Sequence, residues 1–116
     1  MKYATLDELR EAVERNQGVL TEPMQEIRDA HGAGRLGIHV RTNISKALKG
    51  LGLSHYPEAL PEYQHVPVRV YKQGSPVGDL IDAVLNPSPT HDDELRQAVS
   101  GGDAELLRQV RELICG

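Results

Sequence analysis

The chain has few aromatic side chains and little sulfur. Its 116 residues include no Trp, no Phe, four Tyr and one Cys. A core without large aromatic rings must be built from aliphatic side chains. The lone cysteine, Cys115, excludes an internal disulfide and a zinc site of several cysteines.

Long hydrophobic runs are also missing from the sequence. No segment approaches the roughly 18 apolar residues that cross a bilayer, and residues 1–8 lack the apolar middle of a signal peptide. We therefore expect a soluble, cytoplasmic protein without membrane contact. Hydrophobic residues make up 39% of the chain, which is enough for a compact core of packed helices with a small sheet.

Basic residues concentrate in the middle of the chain. Residues 31–72 carry six Lys or Arg and two Glu, although the formal net charge of the whole chain is −4. The flanking segments, 1–30 and 73–116, each carry more acidic than basic side chains. A basic block between acidic flanks indicates a surface that meets a polyanion, but ordinary solvated cations would give the same count.

Capping signals predict the first helix. Thr5 and Glu8 fit a capping box, in which the Thr5 hydroxyl accepts a first-turn amide and Glu8 returns to the Thr5 N–H. The helix then covers about 6–16, and Gly18 ends it in the left-handed conformation. The β-favouring pair at 19–20 leaves room for a short strand.

Prolines mark the starts of two further helices. Pro23 begins a helix over about 23–31, and His31 falls on its apolar face, where we expect a hydrogen-bonded core histidine. The Ser75-Pro76 pair is an N-cap followed by a first-turn proline, and it predicts a helix over about 76–85.

The segment 38–50 is the most informative predicted helix. At about 100° per residue, its aliphatic residues fall in one arc and its hydroxyl and basic residues in the opposite arc. We therefore expect one side to pack in the core and the other to face outward. The aliphatic arc holds Val40, Ile44, Ala47, Leu48 and Leu51, and the polar arc holds Thr42, Ser45, Lys46 and Lys49.

The rest of the chain predicts a strand, a linker and two helices. Valines alternate with other residues over 66–71, the pattern of a half-buried strand. The sequence Asn-Pro-Ser-Pro at 86–89 predicts a linker. A short helix near 91–99 follows, and Asp103 caps a last helix. We expect the apolar stripe at 106–114 to pack on the main domain or to pair with a second copy of the chain.

Over residues 5–72 the predicted order is helix, strand, helix, helix, strand, strand. Residues 42–53 read Thr-Asn-Ile-Ser-Lys-Ala-Leu-Lys-Gly-Leu-Gly-Leu. This segment resembles the recognition helix of bacterial winged helix-turn-helix proteins, in which a polar start leads to a leucine-glycine-leucine exit. The predicted fold is mainly α with a small β-sheet: a winged-helix-like domain over 1–85, a proline-rich linker over 86–90 and a helical tail over 91–116.

The resemblance implies a non-catalytic module that binds double-stranded DNA, as in a regulator of transcription. Thr42, Ser45 and Lys46 would lie near base edges, and Arg41 and Lys49 near phosphates. The remaining cations of the central basic block would extend this contact. The complete predicted DNA-binding set is Arg35, Arg41, Thr42, Ser45, Lys46, Lys49, Arg69 and Lys72.

Two features depart from the winged-helix pattern. The loop at 57–65 has two Glu and no Lys or Arg, so it would repel a phosphate backbone, and the glycine-rich turn before the third helix is long. The same scaffold therefore also suits a protein-interaction or adaptor domain. Such a domain would use Leu60 and Tyr63 in the loop together with the C-terminal helix, and a homodimer through 103–115 is a further expectation.

Several motifs resemble catalytic or cofactor sites but lack the required context. Gly32–Gly37 matches G-x-G-x-x-G, yet it follows a helix and not a strand, so we expect no dinucleotide cofactor. If this loop bound an anion, Arg35 would assist. The five histidines include no pair at helical ligand spacing, so we expect no metal site. The sequence also has no G-x-S-x-G nucleophile turn, and we predict no catalytic residues.

Overall fold

The structure, a computed structural model, describes residues 2–32, 34–100 and 104–115, with side chains over 108–113 in the last segment. Within these residues the chain forms six helices and three strands. In chain order they are α1 (Leu6–Arg15), β1 (Val19–Pro23), α2 (Met24–His31), α3 (Ile38–Gly50), β2 (Leu53–Tyr56), β3 (Pro67–Lys72), α4 (Pro76–Leu85), α5 (Pro89–Ser100) and α6 (Ala104–Cys115).

The chain divides into two compact units, residues 1–73 and 74–116. The first unit contains the elements from α1 to β3. Its three strands form one antiparallel sheet in the order β1-β3-β2, so the central strand is the last in sequence. The fold is mainly α with a small antiparallel sheet and is winged-helix-like, as predicted.

The core of the first unit is aliphatic, as the absence of Trp and Phe requires. Helices α1, α2 and α3 each bury one stripe of side chains, and β3 buries Val68, Val70 and Tyr71. Burying side chains of this size contributes about 1.5–3 kcal/mol each. The buried cluster consists of Leu9, Val13, Met24, Ile27, Ile44, Leu48, Leu53, Leu60, Val68 and Val70.

The capping box predicted two hydrogen bonds at the start of α1, and the structure contains one of them. The Glu8 amide donates to the Thr5 hydroxyl at 3.3 Å. The returning Glu8 carboxylate accepts from the Ala4 amide at 2.6 Å, and not from Thr5 as predicted. The long Glu8 side chain reaches one residue further because the backbone ahead of the helix is extended at Thr5.

The loop between β2 and β3 folds back onto the start of α2. Helix α2 has no side-chain cap, because its N-cap position is occupied by Pro23. Its first two amides donate instead to loop carbonyls: Met24 to Val66 and Gln25 to Gln64, both at 2.9 Å. These bonds satisfy donors that a helix start leaves open, and they hold the end of the loop against the body of the unit.

A buried carboxylate attaches the N-terminal segment to β1. Glu22 is 3% exposed. It accepts a hydrogen bond from the Tyr3 hydroxyl, and the Lys2 ammonium lies 3.0 Å from its other oxygen. The Lys2 backbone amide also donates to Glu26 at 2.9 Å. Burial, and then the hydrogen bond to Glu22, raises the pKa of Tyr3 well above its ordinary value.

The second unit consists of α4, α5 and α6, which pack on one another. Ser75 caps α4 by accepting from the Gly78 amide at 3.0 Å, as predicted. Helix α4 groups with α5 and α6, so the boundary between the units precedes α4 and differs from the division at 86–90 that the sequence suggested. Residues 86–88 join α4 to α5, which starts at Pro89.

Helix α6 is described in part. Val110 is fully buried, and α6 packs on α4 and α5. The predicted Asp103 cap, and most of the apolar stripe at 106–114, lie outside the described side chains. Pairing of this helix with a second copy stays a prediction. None of the helices over the described residues is long and apolar enough to span a bilayer.

Candidate nucleic-acid interface

Helix α3 has one buried face and one outward face. Ile44 and Leu48 are fully buried in the core of the first unit. On the opposite side, Thr42, Lys46 and Lys49 are exposed. The predicted bounds of this helix and its division into two faces are confirmed.

The two lysines on the outward face are free cations. Neither Lys46 nor Lys49 forms an ion pair or a hydrogen bond with any residue that the structure describes. A basic helix face could have been neutralised by the acidic residues of α1 or of the 57–65 loop, but no such pairing occurs here. Their charges therefore remain available to an anion from solution.

The two hydroxyls of α3 are both used as donors within the protein. Thr42 donates to the Ile38 carbonyl at 2.9 Å, one turn back along the helix. Ser45 is half-buried, and its Oγ lies 2.7 Å from His55 Nε2. The other ring nitrogen of His55 lies 2.8 Å from the Pro57 carbonyl oxygen.

The Pro57 carbonyl determines which proton the His55 ring carries. A carbonyl oxygen only accepts, so His55 Nδ1 must carry a proton to bond with it. In the neutral ring Nε2 then has no proton, and the Ser45 hydroxyl donates to it. Ser45 and Thr42 thus have their protons committed, and each oxygen keeps its acceptor lone pairs.

Arg41 connects two loops at the start of α3 through hydrogen bonds. Its Nε donates to the Leu36 carbonyl at 3.1 Å, and its Nη1 donates to the Leu60 carbonyl at 3.2 Å. The half-buried side chain therefore joins the loop before α3 to the loop after β2. Its guanidinium is committed to two backbone oxygens, so its main effect is to position α3, in contrast to the free lysines.

The other predicted cations lie outside α3, on β3 and in the loop before α3. Arg69 is half-buried at the centre of β3, opposite Thr21 and Tyr56, and alternation along the strand points it away from the core face formed by Val68 and Val70. Lys72, at the end of β3, forms an ion pair with Glu14 at 3.1 Å. Arg35 is exposed in the loop before α3.

The loop that would form a wing is acidic, and it is partly buried. Glu58 and Glu62 are exposed. Leu60, in contrast, is 5% exposed and belongs to the core, so it does not line the open groove that the sequence suggested for a protein partner. Tyr63 is 63% exposed and remains available. The backbone carbonyl of Leu60 accepts a hydrogen bond from Arg41.

His31 does not occupy the position that the sequence predicted. His31 is exposed and not part of the core, so the prediction of a core histidine is wrong. It is the last residue of α2, one turn after Ile27 and directly after the buried Ala30. Over the described residues, no group of three or more His, Cys, Asp or Glu is placed to hold a metal ion.

The sequence did not identify His55 as part of this surface. Its ring contacts Ser45 across ten residues of chain, and periodicity carries no signal for such a contact. The helix also exposes His39, Asn43 and Ile38, the last at 62%.

Compared with known proteins, the chain matches no family model, no curated protein and no solved structure.

Proposed function

We propose that this chain is a non-catalytic module that binds duplex DNA and acts as a regulator of transcription. In this proposal α3 lies in the major groove. The observation that carries the proposal is the outward face of α3, where Lys46 and Lys49 remain unpaired beside the hydroxyl oxygen of Thr42. Lysines neutralise phosphates and release condensed counterions, while side-chain oxygens contact base edges. A helix in this position of a winged-helix-like fold has the length and exposure that groove binding requires.

The charge distribution limits the contact to a small area. Residues 1–73 carry ten basic and nine acidic side chains, and residues 74–116 carry three and eight. Neither unit as a whole is basic, so long-range attraction to DNA is weak. The affinity must come from local contacts of α3 and its neighbour Arg35, and it should be highly sensitive to salt.

The test is fluorescence anisotropy with labelled duplex DNA at salt concentrations between about 50 and 200 mM. Contact of Lys46, Lys49 and Arg35 with one phosphate each predicts a slope of log affinity against log salt of about −3. Lys46→Glu and Lys49→Glu should each weaken binding by about tenfold or more and make the slope shallower by about one.

Arg111→Glu is the matched control, because it makes the same charge reversal on an exposed residue of α6. It should leave both affinity and slope close to those of the wild type. Equal behaviour of Lys46→Glu and Arg111→Glu would refute the assignment of α3 as the DNA-contacting helix.

A protein-interaction module is the second candidate, and one observation favours it. Ile38 and Tyr63 are large apolar side chains exposed at 62% and 63%. A partner held by such side chains would bind with little dependence on salt and would tolerate Lys46→Glu. Because Leu60 is buried, this surface would be built around Tyr63 and would not include the predicted Leu60 contact.

A further inference from the structure

A second candidate site lies on the first unit, in a groove outside the outward face of α3. It has a volume of about 460 Å³, within the range of small-ligand sites. Its walls come from the end of α2, the loop before α3 and the loop before β3. The lining residues are Arg28, Gly34, Arg35, Leu36, Glu62, Tyr63, Gln64 and His65.

Two aromatic rings stand side by side in this groove. The ring centroids of Tyr63 and His65 are 6.2 Å apart, and their planes are inclined by 35°. Both residues are exposed, although the chain has only four tyrosines and buries most of its large apolar side chains. Exposed rings on a held loop provide flat surfaces on which a planar ligand can stack.

The polar groups of the groove are mostly donors, and the structure fixes the orientation of one of them. Arg28 Nη1 donates to the Gln64 side-chain oxygen at 3.2 Å, and Arg28 also pairs with Asp29 at 3.2 Å. Because the Gln64 oxygen is occupied by Arg28, its NH₂ group remains as a donor. The Gln64 carbonyl is held by α2 at 2.9 Å, so the loop presents this donor from a fixed backbone.

Arg35 supplies the free cation of the groove. Its guanidinium forms no ion pair with any residue in the described part of the chain, whereas Arg28 is neutralised by Asp29. One unpaired guanidinium, an amide donor and two exposed rings match a ligand that has both a planar ring and an anionic group.

We propose that this groove binds unpaired nucleotides of a single-stranded nucleic acid, with a base stacked on Tyr63 and His65 and its phosphate on Arg35. Bases within a duplex have both faces covered by their neighbours, so only an unpaired base can stack on these rings. Glu62 is exposed at the same groove and opposes the phosphate, so binding is weaker than the rings and Arg35 alone would give.

The test uses labelled oligothymidylate and oligouridylate of about ten nucleotides, measured by fluorescence anisotropy. Tyr63→Ala should weaken binding of the tighter probe by about tenfold, as expected for loss of one stacked base. Tyr63→Phe keeps the ring and should stay within about twofold of wild type. Tyr56→Ala is the matched control, since it removes an exposed tyrosine ring at the end of β2, outside this groove.

Two charge variants test the position of the phosphate. Arg35→Ala should weaken binding and make the salt slope shallower by about 0.7, the value for one contact to a single strand. Arg15→Ala, an exposed arginine at the end of α1, should do neither. Glu62→Gln should strengthen binding by about threefold, because it removes a like charge from an exposed surface.

Failure of this proposal is distinguishable from failure of the α3 proposal. Lys46→Glu should spare single-strand binding, and Tyr63→Ala should spare duplex binding. Wild-type protein that binds neither single-stranded probe, or equal losses in Tyr63→Ala and Tyr56→Ala, would overturn the assignment of the groove.

Discussion

Removing the Tyr3 hydroxyl should destabilise the first unit through the buried Glu22 carboxylate. Glu22 is 3% exposed, so it depends on its protein partners to replace water. The Tyr3 hydroxyl is one of these partners and Lys2 is the other. Tyr3→Phe keeps the ring and its packing while it removes one hydrogen bond to a charged oxygen.

The expected cost is about 2 kcal/mol, because hydrogen bonds to charged groups contribute about 1.5–3 kcal/mol. Lys2 cannot compensate for the loss, since its side chain is 63% exposed and its ion pair is worth less than about 1 kcal/mol. With a denaturant dependence of about 2 kcal/mol per molar, the urea midpoint should fall by about 1 M.

Urea unfolding followed by circular dichroism measures this change, with Tyr56→Phe as the control. Tyr56 is also a tyrosine of the first unit, but its hydroxyl has no hydrogen-bond partner among the described residues. The control should stay within about 0.5 kcal/mol of wild type. A Tyr3→Phe variant as stable as Tyr56→Phe would show that Glu22 does not depend on Tyr3, and the reasoning would fail.

Two further predictions concern pH and base preference. The pKa of Tyr3 is raised in the folded chain, so above the ordinary tyrosine pKa of about 10 the unfolded chain loses a proton that the folded chain keeps. The free energy of unfolding of the wild type should therefore fall by about 1.4 kcal/mol per pH unit relative to that of Tyr3→Phe. An equal dependence of stability on pH in the two proteins would contradict this. Because Ser45 donates to His55, its oxygen should select base-pair donors such as the amino groups of adenine or cytosine. Selection from random duplexes should show that Ser45→Ala loses this preference at one position, and the salt slope of DNA binding should stay that of the wild type. An unchanged base preference would exclude Ser45 from base contact.

The sequence determined the parts of this protein that depend on neighbours in the chain. The bounds of α3 follow from its periodicity, and so does the separation of Ile44 and Leu48 from Lys46 and Lys49, because a helix places residues three and four apart on one face. The Ser75 cap of α4 is equally local, since it needs only the amide three residues later. The choice of an aliphatic core follows from composition alone.

Other local signals were overridden by tertiary contacts. His31 shares the apolar face of α2 with Met24 and Ile27, but it is the last residue of the helix and is exposed. Leu60 is in a polar, proline-interrupted loop and is nevertheless buried in the core cluster of the first unit. Periodicity describes the face of a helix, and it does not state how far along the helix that face is covered.

Only the tertiary structure decided which groups of the candidate sites meet. The contact between Ser45 and His55 joins α3 to β2, and the bond between Arg28 and Gln64 joins α2 to a loop 36 residues later. Sequence spacing carries no information about such pairs. Each pair depends on which distant segments the loops bring together and on the order of the strands in the sheet. The sequence supplied the lysines of α3, and the fold decided that no acidic side chain among the described residues would reach them.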